Sequence, residues 1–197
     1  EACEYDRSFL NLTPQVGVIT NIEEDHLDYY ENIEKIINAF GDFASSISKD
    51  GLLVVNNHDD NVAVAVQRAY CKVETYSLDN SSDWYGEVLS GSNGLKRFRV
   101  FHKDRFFGEI TLRIPGAHNV MNALAAAAVC TFIGVDKDSI ETALSNFQGA
   151  NRRFQIIGVR NGITVIDDYA HHPTDIRVTL RAARKLYPEK KIWCIFQ

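Results

Sequence analysis

Residues 16–28, with the sequence VGVITNIEEDHLD, decide the fold class. The first five residues are a short, largely β-branched run, which predicts a buried strand, and the polar residues after it predict a loop. In open α/β sheets, ligands bind at the carboxyl ends of the strands. The stretch therefore predicts one strand of a parallel sheet with a candidate site at its end.

The residues that follow repeat this pattern of strand and helix. Apolar residues recur at helical spacing between residues 33 and 47, and residues 52–55 form a second apolar run. A helix is predicted at residues 60–69 and a third strand at residues 72–76. This alternation is typical of an α/β domain built on a parallel sheet with helices.

The hydrophobic pattern changes its period in the middle of the chain. Residues 84–90, 98–102 and 106–114 alternate apolar and polar side chains, with turn residues between them. This alternation predicts an antiparallel meander packed on one face. Helices are predicted next, at residues 119–132 and 137–147.

The sequence GANRR at residues 149–153 predicts a hinge between two domains. We therefore assign residues 1–150 to a first domain and residues 151–197 to the beginning of a second. The predicted elements of the second domain are a strand pair at 154–159 and 163–166, a helix at 173–186 and a strand at 191–197.

Composition excludes several classes of function. A net charge of −5 and a pI near 5.7 argue against binding to nucleic acid or to an anionic membrane surface. No apolar run approaches the roughly 20 residues that span a bilayer. Four scattered cysteines without a CxxC pair favour free thiols in a reducing compartment, so we expect a cytoplasmic protein. These are Cys3, Cys71, Cys130 and Cys194.

The first candidate cluster combines residues 1–6 with residues 23–28. It holds several carboxylates and the imidazole of His26. Carboxylate oxygens at strand ends suit Mg²⁺, which prefers oxygen ligands. The alternative is a solvated acidic loop, since such loops are common on protein surfaces.

The second cluster is GAHNVMN at residues 116–122, at the start of an alanine-rich helix. Asn119 could cap that helix, and a histidine and two asparagines near a helix start suit a purine edge or a phosphate. The alternative is an ordinary helix cap with a histidine that faces solvent.

The third cluster joins residues 151–154 to residues 167–173. Arg152 and Arg153 suit phosphate, because a guanidinium binds oxyanions through two parallel hydrogen bonds. Two aspartates follow a predicted strand, and two histidines lie just before a predicted helix, where anions are favoured. The alternative is a surface turn followed by a capped helix.

Taken together and in this order, the motifs resemble those of the Mur ligases. They are EACEYD at 1–6, TNIEEDHLDYY at 20–30, GAHNVMNA at 116–123, RRF at 152–154 and DDYAHHPT at 167–174. The resemblance covers the whole chain. It implies an incomplete α/β central ATPase domain of the P-loop type, followed by the first part of a Rossmann-like domain.

Within the family, the motif at residues 20–30 favours the members that join L-alanine to UDP-N-acetylmuramate. The resemblance implies that ATP phosphorylates the muramoyl carboxylate and that the amine of L-alanine attacks the acyl phosphate, with Mg²⁺ offsetting the phosphate charge. Two alternatives stay open. One is a sister ligase, of the murein-tripeptide-recycling or folylpolyglutamate type, and the other is a non-catalytic binding module that retains the fold.

The resemblance also implies roles for particular residues. Glu1 and His26 correspond to the family's Mg²⁺ ligands, and His118, Asn119 and Asn122 correspond to residues that meet the adenine end of ATP.

The remaining implied roles belong to the second domain. Arg153 corresponds to an arginine near the nucleotide phosphates, and Asp168 to an aspartate that helps to hold the nucleotide. Tyr169 and His171 correspond to residues that face the reacting substrates. Arg153, Asp168 and His171 are thus the candidate catalytic residues.

The sequence departs from the family pattern in two ways. Cys3 stands where the family usually has aspartate, and no Gly-x-x-x-x-Gly-Lys-[Ser/Thr] loop occurs in the 197 residues. In the family that loop precedes the position of Glu1. We therefore expect this chain alone to be inactive, and we expect an exposed sheet edge to promote self-association.

Overall fold

The structure, a computed structural model, describes residues 6–89 and 96–196. The predicted metal ligand Glu1, the substituted position Cys3 and the turn residues 92–94 of the predicted meander lie outside these ranges.

A six-stranded sheet organises the first part of the chain. The first four strands run parallel to one another, and the fourth to sixth form an antiparallel meander. This confirms the predicted α/β class and the predicted meander. In spatial order the strands are β1 (Val16–Ile19), β2 (Leu52–Asn56), β3 (Lys72–Ser77), β4 (Trp84–Val88), β5 (Lys96–His102) and β6 (Arg105–Leu112).

Helices cover both faces of this sheet. Side-chain caps mark where several of them begin: Asn32 accepts a hydrogen bond from the Lys35 amide at 3.0 Å, and Asp59 accepts one from the Val62 amide at 2.9 Å. The helices are α1 (Leu27–Tyr30), α2 (Ile33–Ser46), α3 (Asp60–Ala65), α4 (Ala117–Phe132) and α5 (Lys137–Asn146).

The core is divided by the sheet into two layers. Leu52 and Val54 of β2 point into the cluster formed with α4 and α5, whereas Leu53 and Val55 point into the cluster formed with α2 and α3. All four side chains are buried. Burial on both faces explains why β2 is an unbroken apolar run, as is typical of parallel sheets.

The second part of the chain consists of a hairpin and one helix. Strands β7 (Gln155–Arg160) and β8 (Ile163–Asp167) pair antiparallel, and helix α6 spans Pro173–Leu186. The hairpin turns at Asn161 and Gly162, whose φ angles are 51° and 76°. Both the strand pair and the helix agree with the prediction. We call β7, β8 and α6 the second lobe, and the six-stranded sheet with its helices the first lobe.

The strand predicted at residues 191–197 is wrong over the six residues of it that are described. Residues 191–196 are irregular, and Trp193 and Ile195 are 78% and 98% exposed. A strand requires a neighbour to complete its hydrogen-bond ladder. Within the described second lobe, β7 and β8 pair with each other, and nothing pairs with this segment.

Strand β1 forms one edge of the six-stranded sheet. Val18 on this edge is 39% exposed. Self-association through the edge stays a prediction, which sedimentation over a range of concentrations would check. Separately, none of the described helices has the length and apolar character that crossing a membrane requires.

Candidate functional site

Two hydrogen bonds join the loop after β1 to the start of α3. The Ile22 amide donates to Asp59 at 3.1 Å, and the Asn61 side chain donates to the Ile22 carbonyl at 2.8 Å. His26, at the end of the loop, has a φ of 51° and precedes α1. Left-handed backbone costs a non-glycine residue free energy, and such residues cluster at functional sites. The loop is thus held firmly and presents His26 in a strained conformation.

The metal site expected at His26 stays a prediction. His26 is half-buried, and its Nδ1 lies 3.8 Å from Oδ1 of Asp25. This pair suits a divalent cation in its donor types, one imidazole and one carboxylate. Among the residues that the structure describes, no group of three or more histidine, cysteine or acidic side chains is arranged to hold a metal ion, and Glu1 lies outside those residues.

Helix α4 begins two residues earlier than predicted, with Gly116 as its N-cap. Asn119 therefore lies inside the first turn, where its side chain donates to the Pro115 carbonyl at 2.6 Å. The prediction that Asn119 caps the helix is wrong, because this amide group binds the chain that enters the helix. Asn122 is exposed farther along α4. Binding of the adenine end of ATP by either asparagine stays a prediction.

Gly116 makes room for His118. Its φ is 105°, and a Cβ atom there would lie 2.3 Å from Cε1 of His118. Any other residue would be strained and would push the imidazole away. The glycine therefore fixes the position of the ring.

His118 lies close to charged groups of the second lobe. Burial lowers the pKa of His118 below its ordinary value, and the Arg153 guanidinium acts in the same direction, whereas the Asp168 and Asp175 carboxylates oppose the shift. Its Nδ1 is buried and has no hydrogen-bond partner among the described residues. The charges of Arg153 and Asp168 thus both act on the His118 ring. A nucleotide site shared by these three residues stays a prediction.

Asp168 ties the second lobe together. It accepts hydrogen bonds from the amides of Phe154 and Ala170, both at 2.8 Å, and from the Thr179 hydroxyl at 3.3 Å. Phe154 has a φ of 51°, so this carboxylate stabilises a strained backbone. Sequence reasoning assigned Asp168 a nucleotide-binding role and missed this structural one. The nucleotide role stays a prediction.

The half-exposed ring of Tyr169 contacts the remaining predicted site residues. The guanidinium carbons of Arg152 and Arg153 lie 5.0 and 5.8 Å from the ring centroid, and the His171 ring packs edge-on at 5.3 Å. Cations over an aromatic face are attracted to its electron density. Arg153, Tyr169 and His171 therefore share one accessible surface, which suits an anionic substrate.

The loop after β1 contacts the second lobe directly. The Thr174 hydroxyl donates to Oε2 of Glu23 at 2.6 Å, and Nε2 of His172 lies 3.1 Å from the Glu24 carbonyl oxygen. Sequence reasoning missed this contact. Its only signal was an acidic loop and a helix start, and no local pattern pairs the two.

Comparison with known families accounts for both lobes. The model of the Mur ligase middle domain matches residues 3–130, and that of the Mur ligase glutamate ligase domain matches residues 152–197. The chain belongs to the Mur ligase family.

The similar proteins include two kinds of ligase from that family. The chain is 46% identical over 197 residues to the UDP-N-acetylmuramate–L-alanine ligase of Clostridium acetobutylicum, covering 100% of this chain and 43% of the relative. The solved MurC of Thermotoga maritima is 30% identical, with a TM-score of 0.79, 95% of this chain covered and 42% of that one. A murein peptide ligase from Psychrobacter arcticus is 32% identical, with a TM-score of 0.69, over 93% of this chain and 37% of that one. The chain thus spans less than half the length of these relatives.

Proposed function

We propose that the chain is part of an ATP-dependent ligase that joins L-alanine to UDP-N-acetylmuramate. The observation that carries this proposal is the 46% identity, across every residue of the chain, to a relative of that name. The chain spans 43% of that relative, so the activity belongs to a longer protein. We assign residues 1–150 to its central ATPase domain and residues 151–197 to the start of its C-terminal domain.

The arrangement of charged groups supports phosphoryl transfer to a carboxylate. Arg153 lies at the junction of the lobes, where its guanidinium would stabilise negative charge that develops on the transferred phosphoryl group. His118, whose buried Nδ1 has no partner among the described residues, offers a polar edge to the nucleotide together with Asn119 and Asn122. Mg²⁺ held by His26 and Glu1 would offset charge on the phosphates.

The second step needs an amine and an activated carboxylate in contact. Tyr169 and His171 lie beside Arg153 on the surface that would face this intermediate. In this proposal His171, which is exposed, takes the proton that the alanine amine loses. Packing of the second lobe over the loop after β1 would exclude water and protect the acyl phosphate from hydrolysis.

The test uses the full-length ligase that contains this chain. We expect ADP release that depends on both UDP-N-acetylmuramate and L-alanine. Arg153→Ala should lower kcat by about 100-fold or more, the loss typical of removing one group that stabilises transition-state charge. Arg160→Ala, at an exposed position of β7 outside the candidate site, is the matched control. Its loss should change kcat less than about threefold, as for a surface substitution away from the site.

A second candidate is a ligase that adds a murein peptide in place of L-alanine. The 32% identity to the Psychrobacter murein peptide ligase favours it. Competition between L-alanine and a murein tripeptide as the amine substrate separates the two. Turnover with the tripeptide and none with L-alanine would replace the first proposal by the second.

A further inference from the structure

We propose that Glu23 is a positioning residue that docks the second lobe onto the loop carrying His26. For its effect on catalysis this inference rests on the proposed function. The Thr174 hydroxyl donates to the Glu23 carboxylate at 2.6 Å. Thr174 lies in the first turn of the 14-residue helix α6, so the carboxylate sits at a helix N-terminus, where negative charge is stabilised by the helix dipole.

His172 strengthens the same contact through the backbone. Its Nε2 lies 3.1 Å from the Glu24 carbonyl oxygen, and its Nδ1 accepts from the Thr174 amide at 3.4 Å. A neutral imidazole with its proton on Nε2 satisfies both contacts. Nδ1 also lies 3.4 Å from Oε2 of Glu23, so a protonated ring would pair with that carboxylate.

The contact lies close in sequence to two groups of candidate site residues. Glu23 lies three residues before His26, and Thr174 lies three residues after His171. Within residues 6–89 and 96–196, Glu23, Glu24, His172 and Thr174 supply the hydrogen bonds that join this loop to the second lobe. Docking therefore sets where the two groups of candidate site residues stand relative to each other.

The two neighbouring glutamates differ in a way that makes a matched control. Glu23 binds through its side chain, which is 35% exposed. Glu24 binds through its backbone carbonyl, which survives substitution of the side chain. Glu23→Ala and Glu24→Ala each remove one negative charge from the same loop. A difference between them thus reports the side-chain contact and excludes a general effect of charge.

The first experiment measures the distance between the lobes in the 197-residue chain. Spin labels at the exposed positions Lys49 and Arg181, with the native cysteines replaced, report this distance by double electron–electron resonance. Glu23→Ala and Thr174→Val should shift the distribution to longer and broader distances, whereas Thr174→Ser, which keeps the hydroxyl, and Glu24→Ala should retain the starting distribution. An unchanged distribution in Glu23→Ala, or an equal change in Glu24→Ala, would overturn the proposal.

The second experiment measures turnover by the full-length ligase. Glu23→Ala should lower kcat roughly tenfold, about what one hydrogen bond to a charged group is worth, with the KM for ATP nearly unchanged, because Glu23 contacts none of the candidate nucleotide residues. Thr174→Val should lower kcat to the same extent, and Thr174→Ser should keep the wild-type kcat. The double variant Glu23→Ala/Thr174→Val should lose no more kcat than either single variant. A rise in the KM for ATP at constant kcat, or additive losses in the double variant, would contradict the docking role.

The two experiments keep the hypotheses separate. If the wild-type ligase fails to use L-alanine, the proposed function fails while the distance measurement still decides whether Glu23 docks the lobes. If turnover is normal in Glu23→Ala, the role of Glu23 in catalysis fails and the proposed function stands.

Discussion

Different interactions stabilise the first lobe and the second lobe internally. The first lobe buries apolar side chains on both faces of its sheet, and Phe98 and Leu124 are both fully buried. In the second lobe Val159 and Ile163 are 67% and 66% exposed. Its order depends instead on polar contacts, above all those of Asp168. Burial of apolar side chains is the main stabilising interaction of the first lobe, whereas the described part of the second lobe depends more on hydrogen bonds.

Truncation of an apolar side chain should therefore cost far more in the first lobe. Phe98→Ala leaves a cavity at a fully buried position and should lower the free energy of unfolding by about 3–5 kcal/mol. Ile163→Ala, at an exposed position, should change it by less than about 0.5 kcal/mol. Urea unfolding followed by circular dichroism measures both. Equal losses would show that the hairpin has a core of its own and would remove the contrast.

The first lobe also contains a buried carboxylate with ionic contacts, that of Glu74 on β3. The Glu74 side chain is 4% exposed, accepts a hydrogen bond from Trp84 Nε1 at 2.7 Å and pairs with Lys72 at 2.7 Å. Burial raises the pKa of Glu74, but the contacts with Lys72, Trp84 and the His102 charge outweigh it and lower the pKa from 4.5 to about 2.

The free energy of unfolding of the first lobe should therefore depend on pH between 4.5 and about 2. Because the pKa is lower in the folded state, the charged carboxylate stabilises the fold fully above pH 4.5, and this contribution is lost as the pH falls to about 2. Its size is about 3 kcal/mol. Glu74→Gln should be less stable than the wild type by that amount at pH 7, and the two unfolding free energies should converge near pH 2. A constant difference across that range would contradict the assignment.

Substitution of Asp168 tests how much hydrogen bonds stabilise the second lobe. Asp168→Asn presents an amide group where a carboxylate now accepts two backbone hydrogen bonds. Local opening at Phe154 and Ala170 should become easier by about 1–3 kcal/mol. Hydrogen exchange measures this at each amide, with those of β5 in the first lobe as internal control. Increased exchange in both lobes would mean that the lobes unfold as one unit.

The smallest expected effect lies at the junction of the lobes. The midpoint of the His118 titration, followed by NMR of the ring, should lie below its ordinary value of 6.5. Asp168→Asn removes a charge that raises this pKa and should lower the midpoint further, whereas Arg153→Gln should raise it. A midpoint that neither variant moves would place His118 away from both residues.

Protonation of His118 also has a predictable cost. Since its pKa is lower in the folded state, the unfolded chain binds this proton more readily, and stability should fall as the pH drops below 6.5. His118→Gln should remove that part of the pH dependence.

The sequence determined the order and type of most elements, because burial patterns repeat within a few residues. The apolar run of β2 predicted a buried strand, and Pro173 marked the first residue of α6. The motifs at residues 20–30 and 167–174 also indicated the family, since each carries its chemistry in a short stretch.

The tertiary structure decided everything that depends on a distant partner. Asn119 had the sequence of a cap, but the helix began earlier at Gly116 and gave its amide another role. Residues 191–196 had the sequence of a strand, but no described strand lies alongside to pair with them. Glu23 meets Thr174 across 151 positions of sequence. Such contacts depend on how whole lobes pack, and no local pattern of residues encodes that.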